Sequence, residues 1–337
     1  MSAIGNLKIS RSKNMTYARI LLFALLGVST PFMAASNVKL PLPVVDETHN
    51  IEQHSIEVKD SWMTYLEQGE GKAVVFVHGN PTSSYSWRNV MPYISDTHRA
   101  IAVDLIGMGD SGKPDIEYTF KEQYKYFSRF IKGLDLDEVI LVGHDWGAAI
   151  AWLYAKRNPG KVEALAFMEG VLPPQFPAES YESLGPVADF FRALRDPVLG
   201  PMLVIEQNMW IEQALPASVN RTLGEHAMEA YRAPYLVPES RKPLLAWPNQ
   251  LPIAHEPAQA DRLMRGIKRF MRKTDMPTLY IYGSPSVERS PQVLKWYVDN
   301  IDELETSYVG QGLHYLPEDQ PDAIGRSLDD WLRRLDD

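Results

Sequence analysis

Asp145 has the most chemically suggestive surroundings in this sequence, because it is the central residue of Gly143-His144-Asp145-Trp146-Gly147. This Gly-x-nucleophile-x-Gly spacing is typical of a nucleophile elbow, a tight turn between a strand and a helix that exposes the central side chain. A carboxylate at the start of a helix is stabilised by the helix dipole, and it needs no base before it attacks. The motif therefore predicts displacement at an alkyl carbon by Asp145, with a simple helix-capping role as the alternative.

A carboxylate nucleophile that forms an ester needs a general base for the hydrolysis of that ester. His314, in the loop 310–314 after a predicted strand, has the best context of the eight histidines. Its place late in the chain fits the order nucleophile, acid, histidine that accompanies such elbows. Glu169 and Glu288 compete as the acid that orients it, since each follows a predicted strand. We favour Glu169, because an acid at the carboxyl end of a strand faces the sheet edge where sites form.

The leaving group of such a displacement needs hydrogen-bond donors. Asn80 follows the predicted strand 73–77, in the loop that supplies an oxyanion-hole amide beside a nucleophile elbow. Its side chain and the indole of Trp146 add two neutral N–H donors. Two neutral donors in an apolar pocket suit a departing halide, which is a large and weakly basic anion. The alternative is that Asn80 only shapes the turn before Pro81 and that Trp146 is a core aromatic residue.

The segments that must position these side chains alternate between strand and helix patterns. Strands are predicted at residues 55–59, 62–68, 73–77, 100–104, 138–142, 162–168, 278–282 and 305–309. Continuous apolar strands favour a mostly parallel sheet with helices on both faces, and the alternating pattern of the first two strands indicates an antiparallel edge. Helices are predicted at 119–131 and 148–157, among others. The fold class is therefore α/β, with a mostly parallel eight-stranded sheet flanked by helices.

Residues 172–256 have a different pattern, with many prolines and helical segments but no clear strand. We interpret this stretch as a helical cap, seated over the strand ends of a core formed by residues 37–171 and 257–337. Several aromatic and proline side chains of the cap are proposed to line the substrate pocket, although each could instead be an ordinary buried residue of the hydrophobic interior. These candidates are Phe190, Phe191, Trp210, Trp247 and Pro248.

Composition excludes several classes of protein and site. A formal net charge of −9 argues against a nucleic-acid-binding surface, and the absence of cysteine excludes disulfides, thiolate metal sites and cysteine nucleophiles. Residues 107–112 match the G-x-G-x-x-G pattern of dinucleotide sites, but Lys113-Pro114 follows them, so no helix is predicted to open there. Nucleotide binding is therefore not expected, and no P-loop or H-E-x-x-H pattern is present.

The N-terminus resembles a secretory signal peptide in its three-part layout. Basic residues precede an apolar run at 20–28, and small residues follow at 34–36. The apolar run is shorter than the ~20 residues of a membrane-spanning helix. We therefore predict export to the periplasm or medium with cleavage near Ala35 or Ser36, and no stable membrane partner after cleavage. An uncleaved anchor within residues 1–36 and a cytoplasmic location are the alternatives.

Four motifs carry a resemblance to a known enzyme family. Residues 78–89, 104–109, 143–147 and 312–316 resemble the corresponding segments of haloalkane dehalogenases, as do 208–216 and 247–249 in the cap. The resemblance covers nearly everything from about residue 50 onward. It is to the subgroup that would use Glu169 as the acid and Asn80 with Trp146 as the halide donors. It implies an α/β-hydrolase fold with a helical cap, no cofactor and no metal.

The resemblance also implies a reaction and its partners. A haloalkane and water would give a primary alcohol, a halide ion and a proton through an alkyl ester on Asp145. The enzyme would be a monomer, and its role would be detoxification. Three features depart from the family pattern, namely the charge in 287–289, Pro317 and the exported N-terminus. An epoxide hydrolase is the main alternative, although Asn80 disfavours it because epoxide hydrolases tend to have an aromatic residue there. A coelenterazine-oxidising luciferase and a non-catalytic binding protein are the remaining alternatives.

Overall fold

The computed structural model describes residues 45–285 and 291–336. Within them, one eight-stranded sheet has the spatial order β1-β2-β4-β3-β5-β6-β7-β8. The strands are β1 Glu52–Val58, β2 Ser61–Gln68, β3 Ala73–Val77, β4 Arg99–Val103, β5 Val139–His144, β6 Val162–Met168, β7 Thr278–Tyr282 and β8 Leu304–Tyr308. Every predicted strand is present, and the largest difference in bounds is at β1, which begins at Glu52 instead of residue 55. The predicted signal or anchor at 1–36 lies outside the described residues.

The sheet has an antiparallel edge and a parallel remainder, as predicted. β1 pairs antiparallel with β2, and β2 pairs antiparallel with β4. All the other neighbouring pairs are parallel. β3 is buried along its whole length and divides its side chains between two apolar clusters, with Val75 and Val77 in one and Val74 and Phe76 in the other. Burial on both faces explains why this strand is continuously apolar.

Helices cover both faces of the sheet. The described α-helices are α1 Phe120–Gly133, α2 Trp146–Arg157, α3 Ala188–Arg195, α4 Leu199–Pro201, α5 Leu215–Ala217, α6 Glu225–Arg232, α7 Lys242–Gln250, α8 Ala258–Met271, α9 Pro291–Asn300, α10 Leu316–Asp319 and α11 Pro321–Asp336. One apolar cluster includes residues of α1, α2 and α8 on one face of the sheet, and the other includes residues of α11 on the opposite face. α1 begins with a capping box, in which Thr119 and Glu122 exchange backbone and side-chain hydrogen bonds.

The chain between β6 and α8 is helical, in agreement with the pattern of residues 172–256. Besides α3 to α7 it contains 3₁₀ turns at Glu182–Val187, Ala233–Tyr235 and Pro238–Arg241 and π-helical segments at Met202–Glu206 and Trp210–Ala214. Its β-structure is limited, in the described residues, to isolated bridges that Ile253 makes with Ala178 and Glu256. The division into a cap at 172–256 and a core at 37–171 and 257–337 stays a prediction.

None of the helices in the described part of the chain is both long enough and apolar enough to cross a membrane.

Candidate active site

The turn between β5 and α2 has the geometry that the elbow motif predicts. Asp145 occupies it with φ +53° and ψ −124°, an unusual conformation for a residue with a side chain. A Cβ added to Gly143 would lie 2.5 Å from the Cα of Ala148, and one added to Gly147 would lie 2.0 Å from the carbonyl oxygen of Val77. Both glycines are therefore required for the close crossing of backbone that presents Asp145 at the end of the sheet.

The two carboxylate oxygens of Asp145 have different neighbours. Oδ1 accepts a hydrogen bond of 2.7 Å from the backbone N–H of Asn80. Oδ2 lies 3.5 Å from Nε2 of His314. Asp145 as a whole is only 7 % exposed. One oxygen is thus held by the β3 loop, and the other faces the predicted general base.

His314 lies between two carboxylates. Its Nδ1 is 3.5 Å from Oε2 of Glu169, on the side opposite Asp145. Burial alone would lower the pKa of His314, but the hydrogen bonds and charges of Asp145 and Glu169 outweigh burial and raise the pKa to about 10. The imidazole is therefore protonated at neutral pH.

Glu169 immediately follows β6, with φ +43°, and its side chain is inaccessible to solvent. Its Oε1 has no hydrogen-bond partner within the described part of the chain. The carboxylate that follows β6 therefore lies within 3.5 Å of His314. Glu288, the competing acid, lies outside the described residues, so the choice between the two acids remains a prediction.

Two further buried histidines hold the loops around the site. The Nε2 atom of His144 is 2.8 Å from the carbonyl oxygen of His314, and burial together with the charge on His314 lowers the pKa of His144 to about 3. His78 accepts a hydrogen bond from the backbone of Leu105 and donates one to the carbonyl of Gly79. Burial lowers the pKa of His78 to about 4. Both are neutral structural residues, in agreement with the sequence interpretation.

Asn80 and Trp146, the predicted halide donors, both lie next to Asp145. Asn80 is 5 % exposed, its carbonyl accepts a 3.1 Å hydrogen bond from the Tyr315 hydroxyl, and its Oδ1 has no partner among the described residues. Trp146 begins α2, is 3 % exposed and packs its ring against that of Phe120. Two N–H-bearing side chains therefore lie in a closed, largely aromatic environment beside Asp145.

The predicted pocket residues separate into two groups. Trp247 and Pro248 are buried in α7, and the ring of Trp247 stacks on that of Trp146 with centroids 4.8 Å apart. The indole N–H of Trp247 donates to the Met108 sulfur. Phe190, Phe191 and Trp210 instead form an aromatic cluster within the cap, with Phe190 in edge contact with each of the other two rings. The structure therefore places Trp247 against Trp146, the residue after Asp145, and gives the second group ring contacts with one another.

Several residues that support the site had no signal in the sequence. Tyr315 holds Asn80, and the carboxylates of Asp104 and Asp319 bind backbone N–H groups of the surrounding loops. Pro317, noted only as a departure from the family, is the second residue of α10, where a missing N–H costs nothing. The adjacent acidic pair Glu318-Asp319 gave no signal in the sequence, because its burial beside the His314 loop is seen only in the folded chain.

The G-x-G-x-x-G match at 107–112 is a turn rather than a nucleotide site. The N–H of Gly107 bonds to the carbonyl of Gly112, and the next α-helix begins only at Phe120. Within the part of the chain that the structure describes, no group of three or more His, Cys, Asp or Glu side chains is arranged to hold a metal ion.

Comparison with known proteins is consistent with this geometry. Residues 72–284 match the family model of the α/β hydrolase fold. The chain is 40% identical to a haloalkane dehalogenase of Mesorhizobium japonicum, over 88% of this chain and 96% of that protein. It is 38% identical to one of Bradyrhizobium diazoefficiens, over 85% and 96% of the two chains. The crystal structure of haloalkane dehalogenase DbeA from Bradyrhizobium elkani superimposes with a TM-score of 0.82 at 39% identity, over 85% of this chain and 99% of that one. The chain therefore belongs to the haloalkane dehalogenase family of α/β hydrolases.

Proposed function

We propose that this protein hydrolyses the carbon–halogen bond of a haloalkane, giving an alcohol, a halide ion and a proton. The observation that carries the proposal is the line of three groups in which His314 lies 3.5 Å from Asp145 on one side and 3.5 Å from Glu169 on the other. This arrangement joins a carboxylate nucleophile to a base and an orienting acid, as a two-step reaction through an ester requires.

In the first step, Asp145 attacks the halogen-bearing carbon. A bond forms between a carboxylate oxygen and that carbon, while the carbon–halogen bond breaks and its electron pair leaves with the halide. The side-chain N–H groups of Asn80 and Trp146 stabilise the charge that develops on the halogen. Because these donors are buried, they are more effective than they would be in water.

In the second step, His314 takes a proton from a water molecule, whose oxygen adds to the carbonyl carbon of the ester. The backbone N–H of Asn80, already 2.7 Å from Oδ1 of Asp145, stabilises the oxyanion together with the backbone N–H of Trp146. Collapse of the intermediate breaks the bond between that carbon and the alkyl oxygen. The alcohol leaves with a proton returned by His314, and Asp145 ionises to release the remaining proton.

The charge of His314 must change between these steps. Asp145 and Glu169 together raise the pKa of His314 to about 10 in the resting enzyme, where the imidazolium cannot act as a base. Alkylation turns Asp145 into a neutral ester and removes one of the two carboxylates responsible. We expect the pKa of His314 to fall at that point and its proton to pass to solvent, which frees the base when it is needed. His314 takes up a proton again when Asp145 ionises after hydrolysis, so that one proton is released per turnover.

The experiment that tests this function measures halide release from 1-bromo- and 1-chloroalkanes of different lengths, with an epoxide as the control substrate. The His314→Phe variant should release one halide per enzyme and accumulate an ester on Asp145 that mass spectrometry detects, whereas Asp145→Ala should do neither. Turnover of the unmodified enzyme in ¹⁸O water should label the side chain of Asp145. Turnover by Asp145→Ala, or hydrolysis of the epoxide alone, would contradict the proposal.

The sequence also supports a proposal about location and state. We propose that the enzyme is exported by its N-terminal segment, cleaved near Ala35 or Ser36, and acts as a monomer that detoxifies halogenated alkanes. Expression with the native N-terminus, followed by osmotic shock, should release a shortened protein. Its mass should be that of a chain that begins near residue 36. Recovery of the full-length chain from the cytosol or membrane would contradict export, and light scattering would test the monomer.

A further inference from the structure

One buried carboxylate connects the loop of the proposed base to the cap. Oδ2 of Asp319 accepts a 2.8 Å hydrogen bond from the backbone N–H of Leu313, the residue before His314. The same carboxylate accepts bonds from the backbone N–H groups of Asn220, at 2.8 and 3.0 Å, and of Arg221, at 3.1 Å. Asp319 is fully buried, so these bonds are shielded from water. A single side chain thus joins the His314 loop to residues 220–221 of the cap.

A second carboxylate reinforces the same junction. Glu318, also fully buried, receives two hydrogen bonds from the guanidinium of Arg88, at 2.6 and 3.0 Å, and one of 2.5 Å from the hydroxyl of Tyr231 in α6. Arg221 bonds both to the side chain and to the carbonyl of Glu318. Burial alone would raise the pKa of Glu318, but the positive charges of Arg88 and Arg221 hold it low. The cap is therefore fixed to the core by ionic contacts beside the His314 loop.

We propose that Asp319 is a positioning residue for His314, which makes the place of the base depend on a correctly seated cap. The inference rests on the proposed function, since it assigns His314 to the hydrolysis of the alkyl ester. The route of the effect is short, because Leu313 is adjacent to His314 and the Tyr315 N–H bonds to the carbonyl of Ser218 in the cap. Leu313 is thus held by the carboxylate that also binds residues 220–221, and Tyr315 is held by Ser218 directly.

The same geometry predicts which step depends on Asp319. The nucleophile is placed by the elbow and by the Asn80 N–H. Among the described residues, no hydrogen bond joins the carboxylate of Asp319 to either of them. Alkylation of Asp145 should therefore proceed without it. Hydrolysis needs His314 within reach of a water molecule, and a displacement of about 1 Å at a reacting group can cost up to ~10²-fold in rate.

The negative charge of Asp319 is important to the arrangement. Among the described residues, the groups that donate hydrogen bonds to this carboxylate are all backbone N–H groups. Burial raises the pKa of Asp319 to about 6 and the N–H donors work against it, so the group is ionised at neutral pH. In Asp319→Asn, an NH₂ group would replace one acceptor and face a donor, which leaves at least one buried N–H without a partner.

The experiment compares the two half-reactions by rapid quench with 1-bromobutane as the probe. Halide release in the first turnover reports alkylation, and the decay of the ester, followed by mass spectrometry, reports hydrolysis. For Asp319→Asn we expect alkylation within about twofold of the unmodified enzyme and hydrolysis slower by about tenfold or more. Asp330→Asn, an exposed position on α11, is the matched control and should change neither rate.

A second variant tests the same junction from the cap side if Asp319→Asn does not fold. Arg221→Gln removes the contacts to Glu318 and leaves the His314 loop unchanged in sequence, and it should slow hydrolysis selectively by about threefold or more. Equal losses in both half-reactions, or no loss of hydrolysis in either variant, would overturn the inference. Failure of the proposed function itself would look different, because His314→Phe would then accumulate no ester.

Discussion

The carboxyl ends of β5 and β6 and the aromatic cluster of the cap were both predicted to serve the reaction, but the structure holds them in different ways. Asp145 and Glu169 are 7 % and 2 % exposed, and each follows a strand paired on both sides. Phe190 is 36 % exposed, and its ring contacts are with Phe191 and Trp210. The proposed reactive groups are thus fixed at strand ends, whereas the rings of the cluster are held by contacts between side chains.

Backbone structure shows the same difference. The strand ends continue a regular hydrogen-bonded ladder, while Trp210 lies in a π-helical segment that follows another at Met202–Glu206. π-helical turns are rare and often occur where a helix is adapted to a functional surface. We therefore expect changes at the sheet end to affect the chemical steps, and changes in the cap cluster to have small effects on short substrates.

The largest effect should follow from Glu169→Gln, which removes the charge that orients His314 but keeps the shape of the side chain. Hydrolysis of the ester should slow on the order of 10³-fold, because the base loses its ionised partner, while alkylation changes less. Pre-steady-state halide release separates the two rates. Glu163→Gln, at the other end of β6 and paired with Lys72, is the matched control. Hydrolysis within twofold of normal would instead favour Glu288, which its own Gln variant would then test.

The next effect concerns the elbow. In Gly147→Ala the new methyl group would lie 2.0 Å from the Val77 carbonyl oxygen, and neither backbone can move away cheaply. The free energy of unfolding should fall by about 3 kcal/mol, measured by urea denaturation. Gly266→Ala in α8 is the control, because its methyl group would meet only the flexible end of Lys156, at 3.1 Å. That substitution should be neutral or slightly stabilising, and an equal loss in both variants would refute the steric argument.

Trp146→Phe should have a selective effect on the first step. It removes the indole N–H but keeps an aromatic ring between Phe120 and Trp247. Alkylation should slow by about 10²-fold, since one donor to the leaving halide is lost, and ester hydrolysis should be unchanged. Trp152→Phe in the same helix is the control, because the Trp152 N–H is buried without a partner among the described residues. Equal alkylation rates for Trp146→Phe and the unmodified enzyme would show that the Trp146 N–H does not stabilise the leaving halide.

Much of the fold, and the positions of the candidate site residues within it, were predictable because local patterns determine them. The apolar runs at β3 and β5 are continuous since both faces of these strands are buried, and the two glycines of the elbow are required by backbone contacts of 2.5 and 2.0 Å. The place of Glu169 after β6 and near His314 was predictable from the strand pattern, whereas its role stays a prediction. β1 was predicted too short, because its first residues are exposed and carry no apolar signal.

Contacts between distant parts of the chain were not predictable. Asp319 binds the N–H of Asn220, which is 99 positions away, and no periodic pattern connects the two. Trp247 and Phe190 both lie in helical cap segments, yet one stacks on Trp146 and the other is partly exposed. A hydrophobic side chain on a helix can face the core, the site or the solvent, and only the packing of the whole cap decides between them.

A pH measurement tests the charge state of His314 in the resting enzyme. Because its folded pKa is raised to about 10 from 6.5, its ion pairs stabilise the fold fully below pH 6.5, and this contribution is lost as the pH rises toward 10. The free energy of unfolding should therefore fall more steeply between pH 7 and 10 for the unmodified protein than for His314→Gln. All other groups titrate in both proteins, so the difference between the two curves of unfolding free energy against pH reports His314. Parallel curves would mean that His314 is neutral, and that alkylation need not change its charge.

The smallest effect is expected at the aromatic cluster of the cap. Phe190→Ala removes a ring that is 36 % exposed, so the lost burial should cost no more than about 1 kcal/mol of the free energy of unfolding. The ring lies against Phe191 and Trp210 and not against Trp146, so kcat/KM for 1-bromobutane should stay within about twofold of normal. Longer haloalkanes extend further from Asp145 and provide the sharper comparison. If their kcat/KM falls while that of 1-bromobutane does not, the cluster contacts the distal chain of the substrate. An equal fall for all lengths would place Phe190 beside the reacting carbon, and the contrast between sheet end and cap would then be wrong.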